Sequence, residues 1–367
     1  MANISDYLKW RGDLTFKKSP FNYVDNLLIS QLAYVDLENI VPSAVSREKI
    51  SLCDASKRFF DLNDEEQLKK SRSFIRETPF LMRQMAESER FKDVVLCNYV
   101  AKIDEEHQMQ FAAFHVRLPD NTVYVVFKGT DDSLVGWKED FNMSFISPVP
   151  SQFAAVEYVN YTIHTGIGKI RMGGHSKGGN LAIYAAVNCA SRVQKRIIEV
   201  YNNDGPGFDK NMVSSPLYRQ MLPKIKTIVP HFSVVGMLLE HEEDYMVVKS
   251  SNSGIMQHDA MSWQVIGSEF ETLPEVSTQS RVFNGAVSNW IDSMEPEKRE
   301  MFVNTLFDII TSSGAKNLSD IYDKHFNMKG SLLKKYASLD KQTKKMLFRM
   351  LQSLTGEFDK AIKQEKG

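Results

Sequence analysis

Apolar positions recur at helical spacing through the first part of the chain. Between residues 22 and 37 they lie three or four positions apart and share one helix face: Val24, Leu27, Leu28, Leu32 and Val35. A more charged helical pattern covers residues 46–89 and is interrupted near Pro79. Residues 1–90 are therefore predicted to form a helical region that packs on the rest of the chain.

The apolar period changes to two from about residue 91. Alternating runs at 93–100, 108–117 and 122–127 predict three strands joined by polar turns. Helical and strand patterns then alternate: a helix at 152–165, a strand at 169–172, a helix after Ser176, a strand at 196–201, a helix at 210–222, and strands near 225–229 and 245–249. Hairpins followed by strand–helix alternation predict an α/β core over 91–273, with a mixed, mostly parallel sheet and helices on both faces.

The pattern is helical again over residues 274–367. Within 331–354 an apolar stripe is flanked by basic residues; its members are Leu332, Tyr336, Leu339, Met346, Met350 and Leu354. A basic amphipathic helix can lie on an anionic membrane surface. More commonly such a stripe packs on its own domain while the lysines are solvated. Both possibilities remain open for this segment.

Composition excludes several classes of protein. The chain has 367 residues, 43% of them hydrophobic and 25% charged, with a net charge of −1, so no basic excess favours nucleic-acid binding. Cys53, Cys97 and Cys189 are widely separated and lie in apolar contexts, as expected of free thiols in a reducing compartment. The first residues lack the features of a secretory signal, and no run approaches the roughly 18 apolar residues of a membrane span. The protein is expected to be cytoplasmic.

A short motif lies between a predicted strand and a predicted helix. Gly174-His175-Ser176-Lys177-Gly178 has the form G-x-S-x-G. A serine hydroxyl is a weak nucleophile unless it is presented sharply beside a base, and a tight strand-to-helix turn presents it in that way. The motif predicts Ser176 as a nucleophile. The alternative is a glycine-rich turn whose serine caps the following helix.

A nucleophilic serine needs a base, which in such a fold lies on a loop after a later strand. Four histidines follow Ser176: His231, His241, His258 and His325. His258 lies in a polar loop just beyond the last predicted core strand, where the base belongs. We therefore predict His258 as the base; the alternative is an ordinary surface imidazole.

The acid that orients the base is predicted to be Asp204. It ends the first strand after the motif and precedes a Gly-Pro-Gly turn that would direct its carboxylate over the sheet edge. Glu240, Glu243 and Asp244 occupy the equivalent position one strand later and are its rivals. Asp204 could instead be a turn aspartate bonded to its own backbone.

Hydrolysis of an acyl group also needs two amide donors for the developing oxyanion. One is predicted to be the amide of Lys177, directly after the nucleophile. The other is predicted at Thr130, in the turn after the strand that ends at Phe127. An ordinary turn after an edge strand is the alternative for Thr130.

In chain order, these motifs resemble two related families. Phe127-Lys128-Gly129-Thr130, Trp137-Lys138-Glu139-Asp140 and Gly174-His175-Ser176 resemble the F-R-G-T/S, W-x-x-D and G-H-S-x-G patterns of fungal-type class 3 lipases. A closer resemblance, to the Mbeg-like group of uncharacterised bacterial hydrolase proteins, covers most of residues 8–265; it rests on residues 10–16, 22–34, 204–208, 233–239 and 257–259. The resemblance implies an α/β-hydrolase fold, ester hydrolysis without a cofactor or metal, and Thr130 as an oxyanion donor.

Two positions depart from the lipase pattern. Class 3 lipases carry their acid in a D-x-V-P string, where this chain has Ser233-Val234-Val235-Gly236. The acid is therefore expected at Asp204, a position like that used by pancreatic-type lipases. Lys177 replaces the usual leucine, although a cation at a helix N-terminus opposes the macrodipole. Its ammonium is expected to meet an anionic substrate group or, as we favour, a nearby Asp or Glu.

Together these features predict a serine hydrolase that cleaves carboxylic esters of small molecules or single-chain lipids through an acyl-enzyme. Lysophospholipase, thioesterase and acyltransferase activities keep the same serine and are alternatives. An incomplete triad would leave a non-catalytic binding protein on a hydrolase fold. Residues 130–173 are too few for a large lid, so the acyl pocket is expected to include the helical terminal regions.

Overall fold

The strands of the protein follow the runs in which apolar residues alternate. The computed structural model describes residues 2–70, 75–131, 133–164, 166, 168–311, 317, 336–341, 343–345, 347–349 and 352–353. Its strands are β1 (Ile50–Ser51), β2 (Val95–Asp104), β3 (Met109–Arg117), β4 (Val123–Phe127), β5 (Ile170–His175), β6 (Ile197–Asn203), β7 (Ile225–Pro230), β8 (Tyr245–Val248), β9 (Val265–Ile266), β10 (Glu269–Phe270) and β11 (Thr272–Leu273).

Among the described residues, nine strands form one sheet in the order β1-β2-β3-β4-β5-β6-β7-β8-β11. Strands β4 to β8 pair in parallel, and antiparallel pairs flank them on both sides. Strands β9 and β10 form a separate antiparallel pair. The predicted α/β class with a mixed sheet is confirmed, and its parallel centre makes the carboxyl ends of β4 to β7 meet at one edge.

The helices are α1 (Ile4–Arg11), α2 (Tyr23–Leu32), α3 (Leu52–Leu62), α4 (Glu65–Lys70), α5 (Thr78–Glu87), α6 (Leu134–Asn142), α7 (Pro150–Thr162), α8 (Lys177–Asn188), α9 (Ser191–Gln194), α10 (Lys210–Ser214), α11 (Pro216–Met221), α12 (Thr278–Asp292) and α13 (Pro296–Thr311). The single helix predicted at 210–222 is wrong. Pro216 cannot donate to a continuing helix, so it begins a second one, which the Ser215 hydroxyl caps at the Tyr218 amide.

Alternate side chains of β4 enter two cores on opposite faces of the sheet. Tyr124 and Val126 pack in the core that contains the apolar residues of α2. Val125 and Phe127 pack in the other core, with α7 and α8. Helices therefore cover both faces, as predicted. The boundaries proposed at 90/91 and 273/274 stay predictions.

The C-terminal prediction is only partly covered by the structure. Helices α12 and α13 fall within the predicted helical region. Four of the six residues of the apolar stripe in segment 331–354, namely Leu332, Met346, Met350 and Leu354, lie outside the described residues, so contact of the segment with a membrane surface stays a prediction. Within the described ranges, none of the helices combines the length and apolar character needed to cross a bilayer.

A buried ion pair fastens the N-terminal helices to the start of the core. The guanidinium of Arg90 donates to both carboxylate oxygens of Asp25, on α2, at 2.7 and 2.5 Å. Both side chains are fully buried. Arg90 also donates to the main-chain carbonyls of Leu14, Ser19 and Pro20. It thereby joins α2 to the preceding loop.

Replacing Arg90 by Met is expected to lower the free energy of unfolding by about 3–5 kcal/mol, because the carboxylate of Asp25 would remain buried without its partner. Urea denaturation measures the change. Lys92→Met removes an exposed ion pair with Glu89 and is the control, with an expected loss of about 0–1 kcal/mol. Equal losses in the two variants would contradict the role given to Arg90.

Candidate active site

Ser176 occupies a strained turn between β5 and α8. Its backbone angles are φ 57° and ψ −133°, in a region that residues with a Cβ rarely adopt. A Cβ added to Gly174 would lie 2.4 Å from the carbonyl carbon of Gly178, so the turn requires glycine. The Ser176 amide donates to the Asn203 carbonyl at 2.9 Å. These constraints place the serine at the carboxyl edge of the parallel strands.

Asp204 directly follows β6 and is fully buried at the same edge. Its φ of 53° is also unusual for a residue with a side chain. Carboxylate Oδ2 accepts a 2.6 Å hydrogen bond from Nδ1 of His258. Oδ1 accepts from the Ser233 hydroxyl at 2.5 Å and from the Gly236 amide at 3.2 Å. The aspartate is thus held from two sides while one oxygen faces the imidazole.

The rival carboxylates have other partners. Glu243 accepts from the Tyr218 hydroxyl at 2.6 Å and the Thr227 hydroxyl at 2.8 Å. Burial raises its pKa, but hydrogen bonds from His241 and Tyr218 outweigh burial and lower the pKa to about 2. Glu240 is half exposed and Asp244 is exposed. Within the described residues, the structure forms no hydrogen bond between any of the three and His258.

The backbone of His258 is held by His175, the residue that precedes Ser176. Nε2 of His175 lies 2.8 Å from the His258 carbonyl oxygen, and Nδ1 lies 2.9 Å from the Tyr34 hydroxyl. A carbonyl can only accept, so Nε2 of His175 carries the proton and Nδ1 accepts from Tyr34. The imidazoles of His175 and His258 are 4.6 Å apart between ring centres. This chain of contacts brings the loop of His258 beside Ser176.

Burial, together with the nearby His258, lowers the pKa of His175 well below its usual value of 6.5. Burial also raises the pKa of the Tyr34 hydroxyl, as do the carboxylates of Asp140 and Asp131. Both shifts keep the pair in its donor–acceptor arrangement: a neutral imidazole and a protonated phenol.

Thr130 and Lys177 lie where β4 ends against the start of α8. The side chain of Thr130 is buried, and its hydroxyl donates to Oδ2 of Asp140 at 2.5 Å. Lys177 is the first residue of α8, so its amide has no acceptor within the helix. Among the described residues, the Thr130 amide makes no main-chain hydrogen bond. Within the described part of the chain, neither predicted oxyanion donor thus has a main-chain acceptor for its N–H group.

Asp140 is an unusual carboxylate beside this turn. Burial raises its pKa to about 6, against the opposing influence of Lys177 and the Thr130 hydroxyl. Its Oδ1 is shielded from solvent, makes no hydrogen bond within the described part of the chain, and lies 3.9 Å from Nζ of Lys177. The surroundings of the Thr130 hydroxyl therefore change near pH 6.

The side chain of Lys177 turns into the protein. Its ammonium is fully buried and lies 2.9 Å from Oε2 of Glu139, on α6. It also donates to the main-chain and side-chain oxygens of Gln110 at 3.0 and 2.9 Å. Of the two partners expected for Lys177, the structure contains the internal carboxylate.

One contact expected of a hydrolytic serine is not formed. Among the described residues, the structure shows no hydrogen bond from the Ser176 hydroxyl to His258, although the neighbouring His175 contacts the His258 carbonyl. Such bonds are often long before substrate binds. His325, a further candidate base, lies outside the described residues.

Sequence reasoning missed several residues that shape the site. Ser233 and Gly236 were noted only as the substitute for a D-x-V-P string, yet they donate to Asp204. Tyr34, Gln110 and Glu139 carried no motif that showed their contacts with His175 and Lys177. Helix α6, which carries Glu139, was also not predicted.

We expect His175 to be neutral at neutral pH, with its proton on Nε2, because its pKa lies well below 6.5. Because its pKa is lower in the folded protein, its contribution to stability is present above pH 6.5 and is lost as the pH falls below that value. Two-dimensional ¹⁵N–¹H NMR of the imidazole measures charge and tautomer. Tyr34→Phe should weaken the tautomer preference. A charged ring at neutral pH, or a proton on Nδ1, would contradict the arrangement.

A family of known proteins matches much of the chain. The model of the Mbeg1-like family matches residues 85–308, which is more than half of the chain and includes Thr130, Ser176, Asp204 and His258. No curated protein matches the chain significantly. The chain therefore belongs to the Mbeg1-like family.

Proposed function

We propose that the protein is a serine hydrolase that cleaves carboxylic esters. The observation that carries the proposal is the 2.6 Å contact between Asp204 and Nδ1 of His258, at the sheet edge where Ser176 occupies its strained turn. A buried carboxylate bonded to Nδ1 leaves Nε2 of the same ring to act as a base. The order Ser176, Asp204, His258 along the chain is that of α/β-hydrolases.

In the proposed reaction, the hydroxyl of Ser176 attacks the ester carbonyl carbon while Nε2 of His258 takes the hydroxyl proton. Asp204 accepts the Nδ1–H bond and stabilises the imidazolium that results. The carbonyl oxygen becomes an oxyanion, and the amides of Thr130 and Lys177 donate to it. Collapse of this intermediate breaks the bond to the alcohol, which leaves with the proton from His258.

The acyl group then remains on Ser176 as an ester. A water molecule gives a proton to His258 and attacks the acyl carbon, which regenerates the oxyanion at the same two amides. Collapse releases the carboxylic acid and returns the proton to Ser176. The same residues serve both halves of the reaction, so the proposed mechanism needs no cofactor.

The surroundings of the site favour an uncharged, apolar ester. Ile255 and Met256 lie just before His258 and are 60% and 59% exposed. The two lysines nearest the oxyanion turn have internal partners: Lys177 pairs with Glu139, and Lys128 pairs with Asp131 at 3.1 Å. Neither cation is available to a carboxylate or phosphate on the substrate.

A cytoplasmic location is also proposed. It is supported by Cys97 and Cys189, which are buried free thiols, and by Cys53, a free thiol that is partly exposed. Unpaired cysteines of this kind are typical of proteins from reducing compartments.

A fluorophosphonate probe is expected to label the wild-type protein on Ser176, because an activated serine attacks the probe's phosphorus. Ser176→Ala should not be labelled and His258→Ala should be labelled slowly; peptide mass spectrometry identifies the modified residue. His107→Ala, at an exposed histidine, is the control and should label as the wild type does. An unlabelled wild-type protein, or full labelling of Ser176→Ala, would contradict the proposal and favour a non-catalytic binding protein.

The acid is tested separately. Asp204→Asn should lower kcat for an aryl ester about 10⁴-fold, because an amide in place of the carboxylate stabilises the wrong tautomer of the base. Glu240→Gln changes the half-exposed rival in the same way and should keep wild-type kcat. A large loss in Glu240→Gln together with an active Asp204→Asn would reverse the assignment.

Among esters, p-nitrophenyl hexanoate should exceed mono-p-nitrophenyl adipate in kcat/KM by about tenfold or more, because Lys177 and Lys128 are paired internally and would not stabilise the terminal carboxylate of the adipate. The two substrates share a leaving group and an acyl length. Steady-state kinetics at neutral pH give the comparison. A preference for the adipate would indicate that Lys177 or Lys128 serves the substrate.

A further inference from the structure

We propose that the ammonium of Lys177 is a positioning group that aims the second oxyanion donor, the Thr130 amide, through the side chain of Gln110. The inference rests on the proposed function of this site. It assigns two roles to one residue, since the Lys177 amide is itself the first donor. The side-chain role depends on two hydrogen bonds in series and on the planar peptide that follows them.

The first contact links α8 to β3. Nζ of Lys177 lies 2.9 Å from Oε1 of Gln110 and 3.0 Å from the main-chain oxygen of Gln110. Glu139 neutralises the ammonium at 2.9 Å, and is itself held by the amides of Gln110 and Ser151 at 3.1 and 2.8 Å. The lysine is therefore fixed in position.

The second contact follows from the chemistry of these groups. An ammonium can only donate hydrogen bonds, so the oxygen of the Gln110 amide must face Lys177 and its nitrogen must face away. That nitrogen, Nε2, donates to the carbonyl of Gly129 at 3.4 Å. A Cβ on Gly136 would lie 2.9 Å from Oε1 of Gln110 and 3.0 Å from Cγ2 of Thr130, which shows how closely these groups pack.

The third step concerns the peptide that joins Gly129 to Thr130. A trans peptide is planar, so its carbonyl and its N–H point in opposite directions. The carbonyl of Gly129 points to Gln110, on β3, which borders one side of β4. The N–H of Thr130 must then point to the other side, where β5 ends and Ser176 follows. Holding the carbonyl thus aims the amide at the position of the oxyanion.

A leucine after the nucleophile could not orient Gln110 in this way. An apolar neighbour would leave the amide free to exchange its oxygen and nitrogen, and an oxygen facing the Gly129 carbonyl would repel it. A buried ion pair often contributes little net stability and is better explained by a specific geometric role. Here that role is to fix the direction of one amide.

Gln110→Glu is the sharpest test, because it keeps an acceptor for Lys177 but replaces the donor that holds Gly129 by a carboxylate oxygen. Removal of one oxyanion donor costs about 10²–10³ in kcat, so misdirecting it should lower kcat about 10–100-fold while KM changes less than about threefold. Lys177→Met should do the same. Affinity for a trifluoromethyl ketone, whose adduct with Ser176 carries the oxyanion, should fall in parallel with kcat.

Asp25→Asn is the control, since the side chain of Asp25 bonds to Tyr7, Asn22 and Arg90 and to none of Lys177, Gln110 and Gly129 among the described residues. It should lower stability and leave kcat and ketone affinity at wild-type values. If Lys177→Met does not fold, Gln110→Glu decides. Wild-type kcat and ketone affinity in Gln110→Glu, beside an active wild-type enzyme, would overturn this inference alone. A wild-type protein without activity or probe labelling would overturn the proposed function as well.

Discussion

The close approach of α8 to the ends of β4 and β5 is the constraint on which the site depends. A Cβ on Gly178 would lie 2.2 Å from the Phe127 carbonyl oxygen, so a helix with an ordinary residue there could not come so near. Because it does, Ser176 is forced into its strained turn and the first amide of α8 lies beside the turn after β4. The side chain of Lys177 has no route to solvent and ends among polar groups of β3 and α6. This one steric constraint therefore determines where the hydroxyl of Ser176 and the amide and ammonium of Lys177 lie.

Asp204 shows how a carboxylate can be held without a cation. Its two oxygens accept hydrogen bonds from one hydroxyl, one amide and one imidazole nitrogen, and these three bonds fix the orientation of the carboxylate. The hydroxyl and the amide come from Ser233 and Gly236, in the segment where the lipase pattern would lead one to expect the acid itself. A Cβ on Gly236 would lie 2.2 Å from Oδ1, which leaves space only for glycine. In this chain the segment instead holds Asp204, a carboxylate that follows the neighbouring strand β6.

The elements most visible in the sequence were those with a strong period and a clear end. Strands β3 to β8, helix α8 and the Gly174–Gly178 turn follow from alternation and from glycine spacing, and they place Ser176 and Asp204 at one edge. What the sequence could not show was contact between distant side chains. The role of Tyr34 depends on a hydrogen bond across 141 positions, and Gln110 meets Lys177 across 67. The sequence did not predict helix α6, because its apolar residues pack against α13, a partner that becomes its neighbour only in the folded protein.

The contacts around His175 also bear on how the chain folds. Tyr34, His175 and His258 are joined in series, with sequence separations of 141 and 83 residues. To form a contact between residues so far apart in the sequence, the chain must first lose the conformational entropy of the long loop between them. Such contacts are therefore expected to form slowly. On a ribosome, Tyr34, which follows α2, must wait for the loop that carries His258 before this series of contacts is complete. A chain that has not yet formed these two contacts therefore carries Ser176 without the loop of His258 beside it.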